Sequence, residues 1–506
     1  MSQFQPEFER RTKQRIAKIV TLMFCFVVVP LILVLLAMRP AVADGPKHYT
    51  DLQFGPLPEV RVPDYQRFVL KNGLVVYLME DHELPLVSGS LFVRTGDREE
   101  PVSQVGLADI TAAVLRSGGT QVHPPDQLNQ ILEQKAAAIE AGIAVNSGSV
   151  TFSALSEDLP QVFDLFAEVV QQPAFPQDKI DLTKFQLRGG IARRNDQPGG
   201  IASREFRKLV YGNESPYART VEYATLDRIG QTDIKQFYSR YFTPDRMILG
   251  IVGDFNPGVM RQKIENAFGR WNPSPNKATS TTISVTQQKQ GEVYFANQPS
   301  ISQSYIQMGH LGGIVKDPDY PALSVMNEVL NGFGGRMFNE VRSRQGLAYS
   351  VYAAWSPQFD YPGLFVAGGE TKSASTVPFI KAAIAEIERI RKAPITAEEL
   401  QRAKDSVLNS FIFNFQDPAQ TLSRLLRYEY FGYPKDYIFQ YRKGVEATTI
   451  QDVQRAAQKH LQPDRLITMV VGNQAEINPP LTALKKPVKT VDITIPAPAK
   501  PAIPQT

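Results

Sequence analysis

Pro244-Asp245-Arg246-Met247-Ile248-Leu249-Gly250-Ile251-Val252-Gly253-Asp254 is a turn feeding an apolar run that stops at a glycine. At an offset of 219 residues, Pro463-Asp464-Arg465-Leu466-Ile467-Thr468-Met469-Val470-Val471-Gly472-Asn473 repeats it. A short apolar run bounded by turn signals reads as a buried strand. In each copy a helical pattern, opening near Asp233 and near Asp452, precedes the turn. One shared tripeptide means little, but helix, turn and strand in the same register indicate a duplicated unit. The expected fold class is α+β, with two homologous lobes of about 200 residues, an ordinary domain size. Each lobe is expected to be a mostly antiparallel sheet packed with helices.

Working outward, Phe68 to Leu78 is two β-type runs around Asn72-Gly73, a strong hairpin signal. Helical periodicity follows near 106–117, 126–140, 158–171, 177–194, 201–210, 232–241 and 257–268. Val145 to Leu155 alternates like a strand. Trp271 to Thr282 is rich in Pro, Ser, Thr and Asn and reads as a linker. Beyond it strands are expected near 292–296, 303–308 and 347–355, and helices near 319–331, 335–343, 375–392 and 397–414. The resulting organisation is an N-terminal lobe at 64–271, a linker at 272–288, a C-terminal lobe at 289–475 and a tail at 476–506. The tail carries Pro479, Pro480, Pro487, Pro496, Pro498, Pro501 and Pro504, so it is expected to be extended or disordered.

The amino terminus reads as an address. Basic residues Arg10 to Lys18 precede an apolar run from Ile19 to Met38, and Ala41-Val42-Ala43 follows. This is the pattern of an export signal cleaved after Ala43. The run is also long enough to stay as a membrane anchor. Either way the remainder is expected outside the cytoplasm, in a periplasm or envelope lumen. The whole formal charge of +4 sits in these 43 residues, and so does Cys25, the one cysteine. The rest of the chain is therefore formally neutral, without a case for nucleic-acid binding and without a thiol.

The chain has five histidines: His48, His82, His123, His310 and His460. No two are close enough to share one helix. His82 and His123 are expected in polar loops, and His310 and His460 near element ends as capping or surface groups.

Several segments together resemble the pitrilysin, insulinase and mitochondrial-processing-peptidase family of zinc peptidases. They are Leu70-Lys71-Asn72-Gly73-Leu74, Gly106-Leu107-Ala108, Tyr211-Gly212-Asn213-Glu214-Ser215-Pro216-Tyr217, and Gly334-Gly335-Arg336-Met337-Phe338 running to Tyr349-Ser350. The resemblance covers nearly all of residues 64–475. It implies two lobes forming half of a clamshell chamber. It also implies an inverted H-x-x-E-H zinc helix, completed by a distal Glu. Here the three positions fall on Asp109, Ala112 and Ala113, and the distal Glu on Gly189 or Gly190. Two methyl groups and one carboxylate cannot fix zinc or activate water. No metal is therefore expected on this chain.

The resemblance further implies an Arg and a Tyr, seven residues apart, that reach the substrate carbonyl. They map onto Arg342 and Tyr349. Gly334 and Gly335 match the family's glycine-rich segment. Val145, Asn146 and Ser147 open the run matched to the edge strand on which substrate peptides add. In heterodimeric members one subunit carries the zinc helix and the other the Arg/Tyr pair. The chain resembles the second kind. It is expected to be an exported, non-catalytic, substrate-binding subunit that pairs with an H-x-x-E-H homologue, the zinc residing in that partner. The alternatives are a non-proteolytic scaffold and an envelope peptide-binding protein of the same fold.

Overall fold

The computed structural model describes residues 60–273, 283–332 and 334–498. The expected leader at 1–43 and most of the expected linker lie outside the described residues. The first half folds as β1 (Gln66–Val69), β2 (Val75–Glu80), β3 (Leu86–Val93), α1 (Leu107–Ser117), α2 (Pro125–Gln134), β4 (Ala138–Ile143), β5 (Gly148–Leu155), α3 (Leu159–Gln171), α4 (Gln177–Ala192), α5 (Pro198–Tyr211), α6 (Tyr223–Asp227), α7 (Gln231–Tyr241), β6 (Met247–Gly253) and α8 (Pro257–Phe268). The second half follows as β7 (Val293–Asn297), β8 (Gln303–Leu311), α9 (Tyr320–Asn331), a π-helical segment (Phe338–Arg344), β9 (Ser350–Ser356), β10 (Leu364–Lys372), α10 (Thr376–Lys392), α11 (Ala397–Ser410), α12 (Pro418–Phe431), α13 (Tyr437–Ala447), α14 (Ile450–His460), β11 (Ile467–Gly472) and β12 (Val488–Thr490).

Two six-stranded sheets result, ordered β1-β2-β6-β3-β5-β4 and β12-β7-β11-β8-β10-β9. Five strands of each order correspond, β2, β6, β3, β5 and β4 with β7, β11, β8, β10 and β9, so the duplication inferred from the Pro-Asp-Arg turns extends through both sheets; β1, antiparallel to β2, and β12, parallel to β7, are separate additions at the edge. The Asn72-Gly73 turn forms as expected: Gly73 sits at φ +93, and Asn72 Nδ2 donates to Phe268 O and Trp271 O at 2.7 and 2.9 Å.

The apolar run of β6 has a specific cause. One of its faces, Met247, Leu249 and Ile251, joins the core made with helices of its own lobe. The opposite face, Ile248 and Val252, packs on Leu422, Leu425, Leu426 and Tyr430 of α12, a helix from the second half. Gly250 lies under α12, where a Cβ would come within 2.6 Å of Leu426. The reciprocal packing holds on the other sheet. Ile467, Met469 and Val471 of β11 meet Ile201, Ala202, Phe206 and Val210 of α5, a helix from the first half. Each sheet thus has one face covered by its own helices and the other by a helix lent by its twin. A strand buried on both faces loses the polar alternation of a half-exposed one.

From Val488 the described part of the tail is extended. β12 pairs in parallel with β7, and Val491 N then donates to Phe295 O at 2.8 Å. Val491 and Ile493 pack on the α5 cluster, Asn195 Nδ2 donates to Ile493 O at 2.6 Å, and Ile495 packs against the first lobe's core. Apart from a short 3₁₀ turn at Leu481–Leu484, the described tail has no helix, and alternate apolar side chains let its extended part strap both lobes.

Three expectations are corrected. Val145–Leu155 is not an edge strand: β5 lies between β3 and β4, and β4 is the edge. The helix expected at 126–140 ends at Gln134, and Ile139 and Ile143 instead alternate into the core from β4. His310 is not a surface cap, whereas His460 does end α14, where its Nε2 bonds Asp319. His310 is 1% exposed within β8, its Nδ1 bonded to Leu311 O at 2.8 Å and its Nε2 accepting from Gln462 N at 3.1 Å. The imidazole is therefore held neutral, and burial pushes it down to about 4. A depressed histidine stabilises the fold above its unfolded value and loses that contribution as pH falls toward the folded one. Unfolding by urea at pH 7 and pH 5 is expected to show a loss of about 2 kcal/mol from this group. His310→Gln, less stable at pH 7, is expected to lack that part of the pH dependence. An unchanged pH slope in the variant would contradict the neutral assignment.

Candidate functional site

α1 presents Asp109 and Ala113 on an open face, with Ala112 beside them and almost fully buried. Its N-terminus is capped from outside. Glu100 Oε2 accepts from Gly106 N and Ala108 N, both at 2.9 Å, which satisfies donors that a helix start leaves free. Burial pushes the Glu100 carboxyl up to about 7, against the Ala108 amide and Arg219. Asp97, nearby, is pushed up to about 6 by burial and then by Asp109. Asp109 itself is raised by desolvation, although its side chain lies on the exposed face of α1.

α4 packs on α1 and carries Gly189 and Gly190, whose Cβ positions would meet nothing within 4 Å. The space for a distal ligand is there; the ligand is not. The donor set of Asp109, Ala112, Ala113, Gly189 and Gly190 does not fit zinc, because a single carboxylate with a raised proton affinity is the whole of it. Among the described residues, the three-member cluster of His and carboxylates close enough to share an ion is Asp317, Asp319 and His460. There Asp319 already accepts from Arg455 Nη1 at 2.6 Å, Lys459 Nζ at 2.7 Å and His460 Nε2 at 2.9 Å. Burial alone would raise its carboxyl, yet these bonds hold it well below the usual range. This cluster is an ion-pair hub at the start of α9.

Arg342 and Tyr349 come together. The segment Phe338–Arg344 winds as a π-helix, closed by Gln345 N donating to Glu340 O at 3.2 Å. Such winding is rare and recurs at functional positions. It stacks Phe338 below Arg342, with the guanidinium carbon 4.8 Å from the Phe338 ring centroid and 5.1 Å from that of Tyr349. Glu340 is engaged by Arg344 and Arg389 at 2.9 and 3.7 Å, leaving Arg342 without a carboxylate partner among the described residues. Tyr349 is 77% exposed, so its phenol is not a core group. Two aromatic faces therefore hold a cation whose N–H edges remain free to donate.

The segment is anchored one turn upstream. Arg336, nearly buried, makes a bidentate pair with Glu399 at 2.7 and 2.9 Å. That pairing, foremost, draws the Glu399 carboxyl down to about 2. Gly335 lies where a Cβ would come within 2.7 Å of Gly332 O, and Gly334 O accepts from Asn339 Nδ2 at 2.7 Å. Phe338 was not singled out from the sequence, although its i, i+4 spacing to Arg342 is visible there.

Val145, Asn146 and Ser147 form the turn between β4 and β5, not a free edge. Asn146 Nδ2 donates to Asp360 Oδ1 and Tyr430 OH donates to Asn146 O, both at 2.6 Å. Val145 packs with Tyr211, Tyr217 and Tyr361. This turn joins the two lobes. The edge β4 lies beside α1, and Arg116 Nε of α1 donates to Ile139 O at 2.7 Å.

Residues 75–215 match the family described as "Insulinase (Peptidase family M16)" and residues 228–407 match "Peptidase M16 inactive domain". The chain belongs to peptidase family M16. Among M16 relatives, "Uncharacterized zinc protease YmxG" of Bacillus subtilis is 24% identical over 370 residues, covering 71% of this chain and 86% of that protein. "Non-peptidase homolog YmxG" of Helicobacter pylori is 23% identical over 402 residues, covering 78% and 91%. "Zinc protease PqqE" of the same organism is 22% identical over 364 residues, covering 70% and 81%. A crystal structure of a peptidase M16 inactive domain from Pseudomonas fluorescens superposes with a TM-score of 0.73 at 25% identity, covering 81% of this chain and 98% of that one. With its metal positions lacking donors, this chain is a non-catalytic M16 member.

Proposed function

We propose that this chain is the substrate-orienting subunit of an exported two-chain M16 peptidase, each subunit supplying half of a clamshell chamber. The observation that carries the reading is the split inventory: Ala112, Ala113, Gly189 and Gly190 offer no metal donor, while Arg342 and Tyr349 stand together, exposed and without a carboxylate partner among the described residues. The zinc chemistry belongs to an H-x-x-E-H partner. In the closed pair, Arg342 N–H groups and the Tyr349 hydroxyl donate to the carbonyl oxygen of the bound peptide and stabilise the negative charge that develops there. The coexistence in one organism of relatives named a non-peptidase homolog and a zinc protease supports a division of labour.

The test is to purify the chain alone, the H-x-x-E-H homologue from its own organism alone, and the two mixed. Zinc content and cleavage of an unfolded peptide are then measured. The expected result is zinc in the homologue, and cleavage by the mixture well above either chain. Stoichiometric zinc with turnover by this chain alone would overturn the reading. A fusion of residues 1–60 to a reporter active only outside the cytoplasm tests the proposed export.

A further inference from the structure

A cleft of about 620 Å³ lies away from the α1 site. It lies on the outer face of the first sheet, between β3, β5 and β4 on one side and α12 with Phe359 on the other. That volume suits a small ligand. Its floor carries a ladder of hydroxyls, with Ser88 opposite Ser153 and Ser90 opposite Thr151 in the β3–β5 register. None of the four side chains bonds to another described group. The wall carries Arg424 and Arg427, one turn apart on α12, and neither has a carboxylate partner among the described residues. Arg424 Nη2 donates to Asn414 at 2.6 Å, but Nη1 is buried without a partner. Arg427 lies over the Phe359 ring at 5.7 Å. Glu140 of the edge strand β4 also lines the cleft and has no partner among the described residues, whereas Asp417 accepts from Ala419 N at 2.8 Å.

Arg424 and Arg427 put two positive charges on the cleft wall that no carboxylate among the described residues balances by an ion pair. The unspent charges are two arginines and one glutamate, with a polar floor between. We infer that this cleft binds short zwitterionic peptides: the α-carboxylate is held by Arg424 and Arg427, the ammonium by Glu140, and the peptide groups by the Ser and Thr ladder. Carboxylate is favoured over a bare oxyanion because Glu140 and the hydroxyl floor are the complement of an amine and of amides.

The experiment is isothermal titration of the full chain with Ala-Ala-Ala, its C-terminal amide, its N-acetyl form and inorganic phosphate. Ala-Ala-Ala is expected to bind. Amidation, Arg424→Gln and Arg427→Gln are each expected to weaken binding about tenfold or more, the effect of losing a charged hydrogen bond. Acetylation and Glu140→Gln are expected to weaken it similarly and not to add to one another. Thr151→Phe, on an exposed floor position, is expected to abolish binding without lowering the unfolding temperature. No binding, binding unchanged by both arginine substitutions, or phosphate binding more tightly than the tripeptide would overturn the inference. No partner chain is needed, so the outcome is independent of the two-chain proposal.

Discussion

Arg342→Ala, assayed in the reconstituted pair, is expected to lower kcat by about 10²–10³-fold with KM little changed, the loss that follows removal of one donor to a developing oxyanion. The argument rests on geometry. Arg342 is exposed, unpaired and stacked between Phe338 and Tyr349, so its removal should not unfold the C-terminal lobe. Tyr349→Phe removes the hydroxyl but keeps the ring, and is expected to cost less than the arginine. Arg342→Lys is expected to recover little, because an ammonium lacks the planar fork that stacks and donates at once. Phe338→Leu separates positioning from chemistry. It leaves both donors present but opens one side of the stack, and is expected to fall between wild type and Arg342→Ala in kcat. Unaltered kcat in the Arg342→Ala, Tyr349→Phe double variant would show that the pair has no part in turnover.

The second large effect concerns stability. Phe206→Ala is expected to cost about 3–5 kcal/mol, and Leu426→Ala about 2–5 kcal/mol. Both side chains are fully buried, and each belongs to a helix that covers the other half's sheet. The informative readout is the form of the urea transition. With the helices exchanged, either substitution is expected to shift one cooperative transition for the described body of the chain. A variant in which one lobe unfolds well before the other would contradict the coupling.

Much of this was legible in the chain itself. The turn and strand at Pro244 and Pro463 announced the duplication because short buried strands keep their apolar residues under strong packing constraint. Asn72-Gly73 announced its hairpin because the turn needs a positive φ there. The absence of donors at Asp109, Ala112, Ala113 and Gly189 needed no coordinates. What the sequence concealed is tertiary. The start of β4 read as the end of a helix, because Ala138 favours helix over strand and the sheet edge overrides it. The Nε2 of buried His310 is satisfied by Gln462 N, 152 residues away, and no local pattern carries that. Phe338 and Arg342 show an i, i+4 spacing in the sequence, but no local pattern distinguishes the π-helical winding with its i→i+5 bonds from an ordinary helix. The unpartnered side of Arg424 and the cleft it faces arise only when α12 crosses to the first sheet.

That crossing has a consequence for how such a protein holds itself together at low concentration. A chain containing one repeat would leave its sheet bare on one face and its α5-type or α12-type helix without a seat. Two such chains could cover one another only by meeting, and the clasp would loosen on dilution. Covalent continuity between the repeats makes the second contact intramolecular, at an effective concentration of order millimolar, so the clasp no longer depends on how much protein is present. Cutting the chain within residues 274–282 restores that dependence: the two fragments are expected to remain bound when concentrated and to separate and unfold together on dilution.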